Sequence, residues 1–312
     1  MGAGRFAPSP SGELHVGNVR TAILAWLFAR STGRRFLIRV EDLDRARAGA
    51  EAHQLRDLAA IGLDWDGRAE RQTDRMDGFR DAVAALLARG LLYECFCTRR
   101  DIAEAASAPH AAPGSYPGTC RLLGDAERSE RRRHSPAALR LRTDVVRLTV
   151  ADELHGPYTG AVDDFVVLRN DGVPAYNFAV VVDDALQGVD QVVRGDDLLS
   201  SSPRQAHLAS LLYGPAAVPA YAHVPLVLNQ EGRRLSKRDG AVTLTDLAND
   251  GVPPARVRAL LLRSLGLPED SLASALAAFE PARLPREPWV HSPLTAADRG
   301  CGETPQTDRV QW

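Results

Sequence analysis

The sequence predicts an α/β protein whose parallel sheet is split by an insertion. Short apolar runs bounded by turn residues alternate with helix-period segments early and late in the chain, as in layered α/β domains. Between them the texture changes: cysteines appear near residue 95, then a Pro/Gly/Ala loop from Ala108 to Gly118, then the charged run Arg128 to Arg133. A helix-period segment follows the second half of the core.

The first half opens on a Pro-, Ser- and Gly-rich loop, Arg5 to Gly12. Val19 to Arg30 then places Ala22, Ile23, Trp26 and Leu27 on one helical face. Phe36 to Val40 is a short apolar run expected to be a buried strand, and Gly78 to Arg89 reads as a helix. After the insertion, strands are expected at Phe165 to Leu168, Ala179 to Val182 and Gln191 to Val193. A helix is expected at Ser202 to Tyr213, then the apolar run Val224 to Leu228, and helical sequence from Thr243 to Phe279. The expected units are a catalytic domain in two halves (1–92 and 172–244), an inserted subdomain (93–171), a helical segment (245–285) and a poorly ordered tail (286–312). No internal repeat is visible.

Bulk properties exclude several classes. The 312 residues are 45% apolar and 25% charged, with a formal net charge of -2, so any nucleic-acid surface must be local. No run of about 18 apolar residues offers a membrane span. The start, Met1-Gly2-Ala3-Gly4-Arg5, lacks a signal-peptide layout, and four cysteines do not make a disulfide scaffold. A cytoplasmic monomer is the expectation.

Two segments carry chemistry. Pro8-Ser9-Pro10-Ser11-Gly12-Glu13-Leu14-His15-Val16-Gly17-Asn18 runs straight into a helix. Such a junction is expected to present unpaired backbone N–H groups to a phosphate, with His15 and Asn18 adding side-chain donors and Gly17 allowing close approach. Far along the chain, Arg233-Arg234-Leu235-Ser236-Lys237-Arg238-Asp239-Gly240 reads as a basic loop whose Lys237 neutralises charge developing on a phosphate.

Together these resemble the H-I-G-H and K-M-S-K-S signatures of class I aminoacyl-tRNA synthetases, with Asn18 for the second His and Arg234 for the first Lys. The resemblance extends to glutamyl-tRNA synthetase through Arg5 to Gly12, Arg20-Thr21-Ala22, Arg39 to Asp44, Tyr176 to Asp184 and Val193 to Leu198. It implies a Rossmann-like parallel sheet with an inserted zinc-bearing subdomain and a short C-terminal helical segment. It also implies an ATP site formed by Pro8, Gly12, His15, Gly17, Asn18, Arg234, Leu235, Ser236 and Lys237, in which Lys237, His15 and Asn18 are catalytic and Mg²⁺ rides on the phosphates. A glutamate site is implied at Arg5, Phe6, Ala7, Pro8, Ser9, Glu41, Tyr176 and Arg194. The charges suit this ligand: two arginines, Arg5 and Arg194, for two carboxylates, and Glu41 for one ammonium. Which arginine meets which end stays open.

Cys95, Cys97 and Cys120 have spacing that favours zinc over a disulfide. The resemblance to short glutamyl enzymes supplies Tyr116 as fourth ligand, with His110 and His134 as alternatives. Past Lys237 the sequence holds no helical region long enough for a full anticodon-binding module, a pattern that resembles glutamyl-queuosine tRNA(Asp) synthetases. This implies that L-glutamate is activated without tRNA and passed to queuosine in the anticodon loop of tRNA(Asp), with Arg128, Arg131, Arg132 and Arg133 as candidate phosphate contacts. The alternatives are a minimal enzyme charging the tRNA 3′ end and a non-catalytic glutamate or nucleotide sensor.

Lys237→Ala is expected to slow adenylate formation by about 10²–10³ with little change in glutamate affinity, the scale for one lost transition-state charge contact. Pyrophosphate exchange at saturating substrate measures it; an unchanged turnover number removes Lys237 from the reaction.

Overall fold

The computed structural model of the chain describes residues 2–98, 100–102, 116–235 and 242–291. Ser236, Lys237, Arg238 and His110, and the tail from 292 onward, lie outside these residues. The strands are β1 (Ala3–Phe6), β2 (Arg35–Val40), β3 (Glu70–Arg71), β4 (Leu92–Cys95), β5 (Ala138–Leu141), β6 (Arg147–Asp152), β7 (Gly156–Ala161), β8 (Val166–Leu168), β9 (Val189–Gly195), β10 (Ala220–Val224), β11 (Val227–Leu228) and β12 (Trp289–Val290).

The main sheet has the order β3-β2-β1-β9-β10-β6-β7. Every pairing from β3 to β6 is parallel, and β7 closes the sheet as the antiparallel arm of a hairpin. The order reverses beside β1, where the chain leaves for β2 on one side and returns as β9 on the other. In open α/β sheets this switch point, at the carboxyl ends of the strands, is where a crevice forms. The segment 93–171 feeds two sheets: β5 and β8 join β4 in a small antiparallel sheet, and the β6–β7 hairpin extends the main one.

The helix Val16–Ser31 (α1) lies against β1 and β9, with Val19, Ala22, Ile23, Leu27 and Ala29 fully buried. The helices Pro254–Arg263 and Leu272–Ala277 pack on its outer side, where Phe28 meets Phe279 edge to face at 5.1 Å. Burial on both sides explains the apolar, weakly periodic sequence of α1.

The strand expected at Ala179 to Val182 is instead the middle of a helix, Tyr176–Gln187. Phe178 through Asp184 are all buried, so the sequence reads as a continuous apolar run, and such a run cannot be told from a buried strand by period. Gly188 ends this helix in the left-handed region, φ 68°. The run Val224 to Leu228 is divided between β10 and β11, with Pro225, which has no N–H for a ladder, at the break. The segment expected to begin a loose tail is paired: Trp289 N–H donates to Leu226 O (3.1 Å) and His291 N–H to Leu228 O (2.8 Å), making β12 a parallel partner of β11.

Arg20, on α1, is 1% exposed and ties the helix to the C-terminal half. It donates to Ser264 Oγ (3.0 Å) and to Pro225 O (3.2 Å). Burial lowers its pKa to about 10, which still leaves it charged at neutral pH. Arg20→Met keeps the stem but strands both acceptors, and is expected to cost about 1–3 kcal/mol of stability. Urea unfolding measures this; an unchanged midpoint refutes it.

Candidate active site

A cleft of about 680 Å³ opens at the carboxyl ends of β1 and β9, beside the start of α1. It is lined by Arg5, Phe6, Ala7, Pro8, Ser9, Gly12, His15, Gly17, Asn18, Glu41, Tyr176, Arg194 and Arg234, so these expected site residues share one cavity. Leu235 does not line it: the side chain is buried and its N–H donates to Val227 O (3.0 Å). Arg234 pairs with Asp197 across the cleft wall at 2.5 Å.

The loop before α1 is held from below. Gln54 donates to both Ser9 O (3.0 Å) and Gly12 O (2.7 Å), and Glu41 N–H donates to Pro8 O (3.0 Å). His15 is the N-cap of α1. Its Nδ1 accepts from Gly17 N–H (3.1 Å) and Asn18 N–H (3.3 Å), while Asn18 Oδ1 accepts from His15 N–H (3.2 Å). Val16 N–H donates to Val242 O at 2.8 Å. The expectation of unpaired backbone N–H groups is therefore corrected: those of Val16, Gly17 and Asn18 are all taken inside the protein. The positive end of the helix dipole remains as an attraction for an anion. Because Nδ1 accepts, the proton of a neutral His15 ring sits on Nε2. Gly17 sits in tight packing, since a Cβ there would lie 3.0 Å from the His15 ring and 3.2 Å from Val227.

The floor is a buried charge network. Arg5, 4% exposed, donates through Nε to Asp184 Oδ1 (3.1 Å). Arg39, fully buried, donates to the same oxygen (2.6 Å) and to Glu41 (3.4 Å), and its Nε stands 3.8 Å from Asp183. Asp183 also accepts from Arg75 (2.7 Å) and Gln72 (2.9 Å). Burial raises the Asp183 carboxyl above the usual range despite these partners; Asp184, also buried, is held below it by Arg39 and Arg5. Burial likewise raises Glu41, against the pull of Arg39 and Arg5.

Arg194 is gripped similarly. Its Nε donates to His223 Nε2 (3.0 Å) and Nη2 to Ser202 Oγ (2.9 Å), while Nη1 is buried with no partner among the described residues. Asp183, Asp184, Arg39 and His223 were not singled out from sequence as site residues, although charges inside apolar runs mark groups that need partners. Asp152 gave no signal, because it falls in the segment read as an insertion.

A second cluster joins Cys95, Cys97 and Cys120, whose sulfurs lie within 4.8 Å of one another. Tyr116 Oη is 3.3 Å from Cys95 Sγ and 3.7 Å from Cys97 Sγ. Arg140 lies over the Tyr116 ring at 3.6 Å, and Arg131 Nη1 reaches Cys120 Sγ at 3.7 Å. Burial pushes the Cys97 thiol up to about 12, with the neighbouring sulfurs adding to it. His134 is turned to Glu130 (3.0 Å). The basic run is internally compensated: Arg128 pairs with Asp125, Arg131 with Glu127, Arg132 with Glu94 and Arg133 with Glu130.

A parallel sheet with its cleft at the switch point, walled by the His15 cap and the Arg234 arm, defines the catalytic unit of a class I aminoacyl-tRNA synthetase. The family described as "tRNA synthetases class I (E and Q), catalytic domain" matches residues 3–284. Among curated relatives, the glutamyl-Q tRNA(Asp) synthetase of Nocardia farcinica is 64% identical over 290 residues, 93% of either chain. That of Cutibacterium acnes is 55% identical over 86% of this chain and 77% of its own. A crystal structure of a glutamate tRNA ligase from Elizabethkingia meningosepticum in complex with its amino acid superposes with a TM-score of 0.77 at 27% identity, covering 93% of this chain and 67% of that one. The chain belongs to the glutamyl-Q tRNA(Asp) synthetases, within the class I synthetases for E and Q. Among the described residues no helix is long and apolar enough to cross a membrane.

Proposed function

We propose that the protein activates L-glutamate with ATP, without needing tRNA, and transfers it to the queuosine of tRNA(Asp). The observation that carries the amino-acid half is Arg194, which lines one cleft with Arg5 and Glu41 and whose buried Nη1 has no hydrogen-bond partner among the described residues. A buried donor left unsatisfied is costly, and a ligand carboxylate removes that cost. The curated relatives, named for queuosine-bearing tRNA(Asp), support the acceptor half.

In this reading Arg194 takes the side-chain carboxylate, Arg5 the α-carboxylate and Glu41 the ammonium. Tyr176 stands at the mouth, half exposed, beside all three. An oxygen of the α-carboxylate attacks the α-phosphorus of ATP, and the bond to pyrophosphate breaks. His15, held by its cap, offers Nε2–H to the phosphates; Lys237 neutralises the departing charge. Catalysis is positioning plus charge stabilisation, with Mg²⁺ supplying further neutralisation on the phosphates when bound. A hydroxyl of the queuosine cyclopentenediol then attacks the glutamyl carbonyl, and AMP leaves. The Arg128 to Arg133 run is the candidate phosphate contact for the tRNA; its arginines hold surface carboxylate partners, weak pairs that a phosphate can replace.

The cluster of Cys95, Cys97, Cys120 and Tyr116 fits a structural zinc ion: three sulfurs and a phenol oxygen converge, and Arg140 and Arg131 offset the negative charge of deprotonated ligands. About one zinc per chain is expected. Metal analysis of protein purified without chelator decides it; no zinc refutes the site, and full occupancy after Tyr116→Phe removes Tyr116 from the ligand set.

Labelled glutamate and ATP, supplied with tRNA(Asp) with or without queuosine, test the function. Pyrophosphate exchange is expected without tRNA, and label is expected in the anticodon fragment of queuosine-bearing tRNA even after the terminal adenosine is removed. Label lost with the 3′ end, or exchange strictly dependent on tRNA, overturns the reading.

A further inference from the structure

We propose that Asp152 and His223 form a buried relay that fixes the orientation and hydrogen-bonding of Arg194, and that both are positioning residues for glutamate recognition. The proposal rests on the glutamate reading of the cleft given above.

Among the described residues no carboxylate holds Arg194. Its Nε donates to a neutral acceptor, His223 Nε2 (3.0 Å), which also stands 3.2 Å from Ser202 Oγ. An arginine Nε–H can donate to imidazole only if that nitrogen carries no proton. The ring proton must therefore be on Nδ1, where Asp152 Oδ2 accepts it at 2.6 Å. His223 is fully buried, and its ring stacks on Tyr221 at 5.9 Å. Asp152 is itself locked: Oδ1 accepts from the N–H groups of Leu154 and His155, both at 2.9 Å, and Oδ2 accepts from His223 N–H at 3.1 Å. The relay needs two strands to meet, and β6 supplies Asp152 opposite Tyr221 of β10, two residues before His223.

This arrangement sets the tautomer from behind. Burial lowers the pKa of His223 against the pull of Asp152, with the Arg194 charge acting in the same direction as burial, so the ring stays neutral. An ionic partner on Nε would spend the charge of Arg194 inside the protein. A neutral one holds the guanidinium in place and leaves its charge for a ligand in the cleft that Arg194 lines.

Asp152→Asn tests the effect; it also removes the acceptor of the His223 backbone N–H, a loss that the double variant below shares and so controls for. The amide oxygen must serve the Leu154 and His155 N–H groups, which turns the amide NH₂ toward His223 Nδ1. The ring proton then moves to Nε2 and confronts Arg194 Nε–H, donor against donor, the wrong-tautomer consequence known for such carboxylate–imidazole pairs. In glutamate- and ATP-dependent pyrophosphate exchange, KM for glutamate is expected to rise about ten- to a hundred-fold while KM for ATP changes little. Adding His223→Gln to Asp152→Asn should recover most of the loss, because the glutamine Oε1 can accept from Arg194 without a tautomer requirement. The ring is read separately by ¹⁵N-histidine NMR: His223 protonated on Nδ1 in the wild type and on Nε2 in Asp152→Asn. Wild-type protonation on Nε2, an unchanged glutamate KM in the single variant, or a double variant no better than the single one overturns the proposal. Absence of glutamate-dependent exchange in the wild type instead overturns the substrate reading, while the NMR result still decides the relay.

Discussion

The structure depends on keeping several charges alive where water cannot reach them. Arg39 has no exposed surface, yet Asp184, Glu41 and Asp183 together hold it firmly protonated against burial. Removing one member of such a buried set typically costs about 3–5 kcal/mol, because the partner is left uncompensated. The members come from β1 (Arg5), β2 (Arg39), the loop after β2 (Glu41) and the Tyr176–Gln187 helix (Asp183 and Asp184). The network therefore cross-links the two halves of the catalytic core at the level of the cleft floor. It also sorts two adjacent carboxyls: Asp184, clasped by two arginines, is firmly ionised, whereas burial dominates at Asp183.

Both cleft arginines use the same grip. Arg5 is held by Nε to Asp184, and Arg194 by Nε to His223. Anchoring at Nε immobilises the long stem, so the side-chain entropy is lost during folding rather than when a ligand binds. The two anchors differ in charge. Arg5 shares an ionised carboxylate with Arg39, which damps its field; the neutral imidazole behind Arg194 does not. Of the two, Arg194 presents the less compensated cation to the cavity.

The sequence disclosed the cleft well because its residues sit in local motifs. Arg5 to Gly17 run along one strand, loop and helix cap, and Glu41 follows a strand directly. The parallel core was legible from Phe36 to Val40 and Gln191 to Val193 for the same reason. What failed to show depends on burial or on distant pairing. Ala179 to Val182 looked like a strand because a helix buried all round has no polar face. The N–H groups of Gly17 and Asn18 looked available because a histidine N-cap is not among the usual capping residues. The ion pairs of the 128–133 arginines, at i−3, i−4 and with β4, form only once the helix does, so the sequence showed them as a bare basic run.

The segment between the core halves is the instructive case. Its cysteines mark it as a unit with its own internal tie, yet its β6–β7 hairpin is a working part of the main sheet. Parallel pairing of β6 with β10 carries Asp152 to the side of His223, and Arg286 donates to Leu154 O (2.9 Å), so the chain near the C-terminal helices also braces that turn. A displacement of the hairpin would therefore be felt first at the imidazole and next at Arg194, whose Nη2 already shares Ser202 with the same ring. Compositional texture marked the residues between 93 and 171 as foreign to the core, but the hydrogen bonds make part of them a support for Arg194 and the cleft it lines.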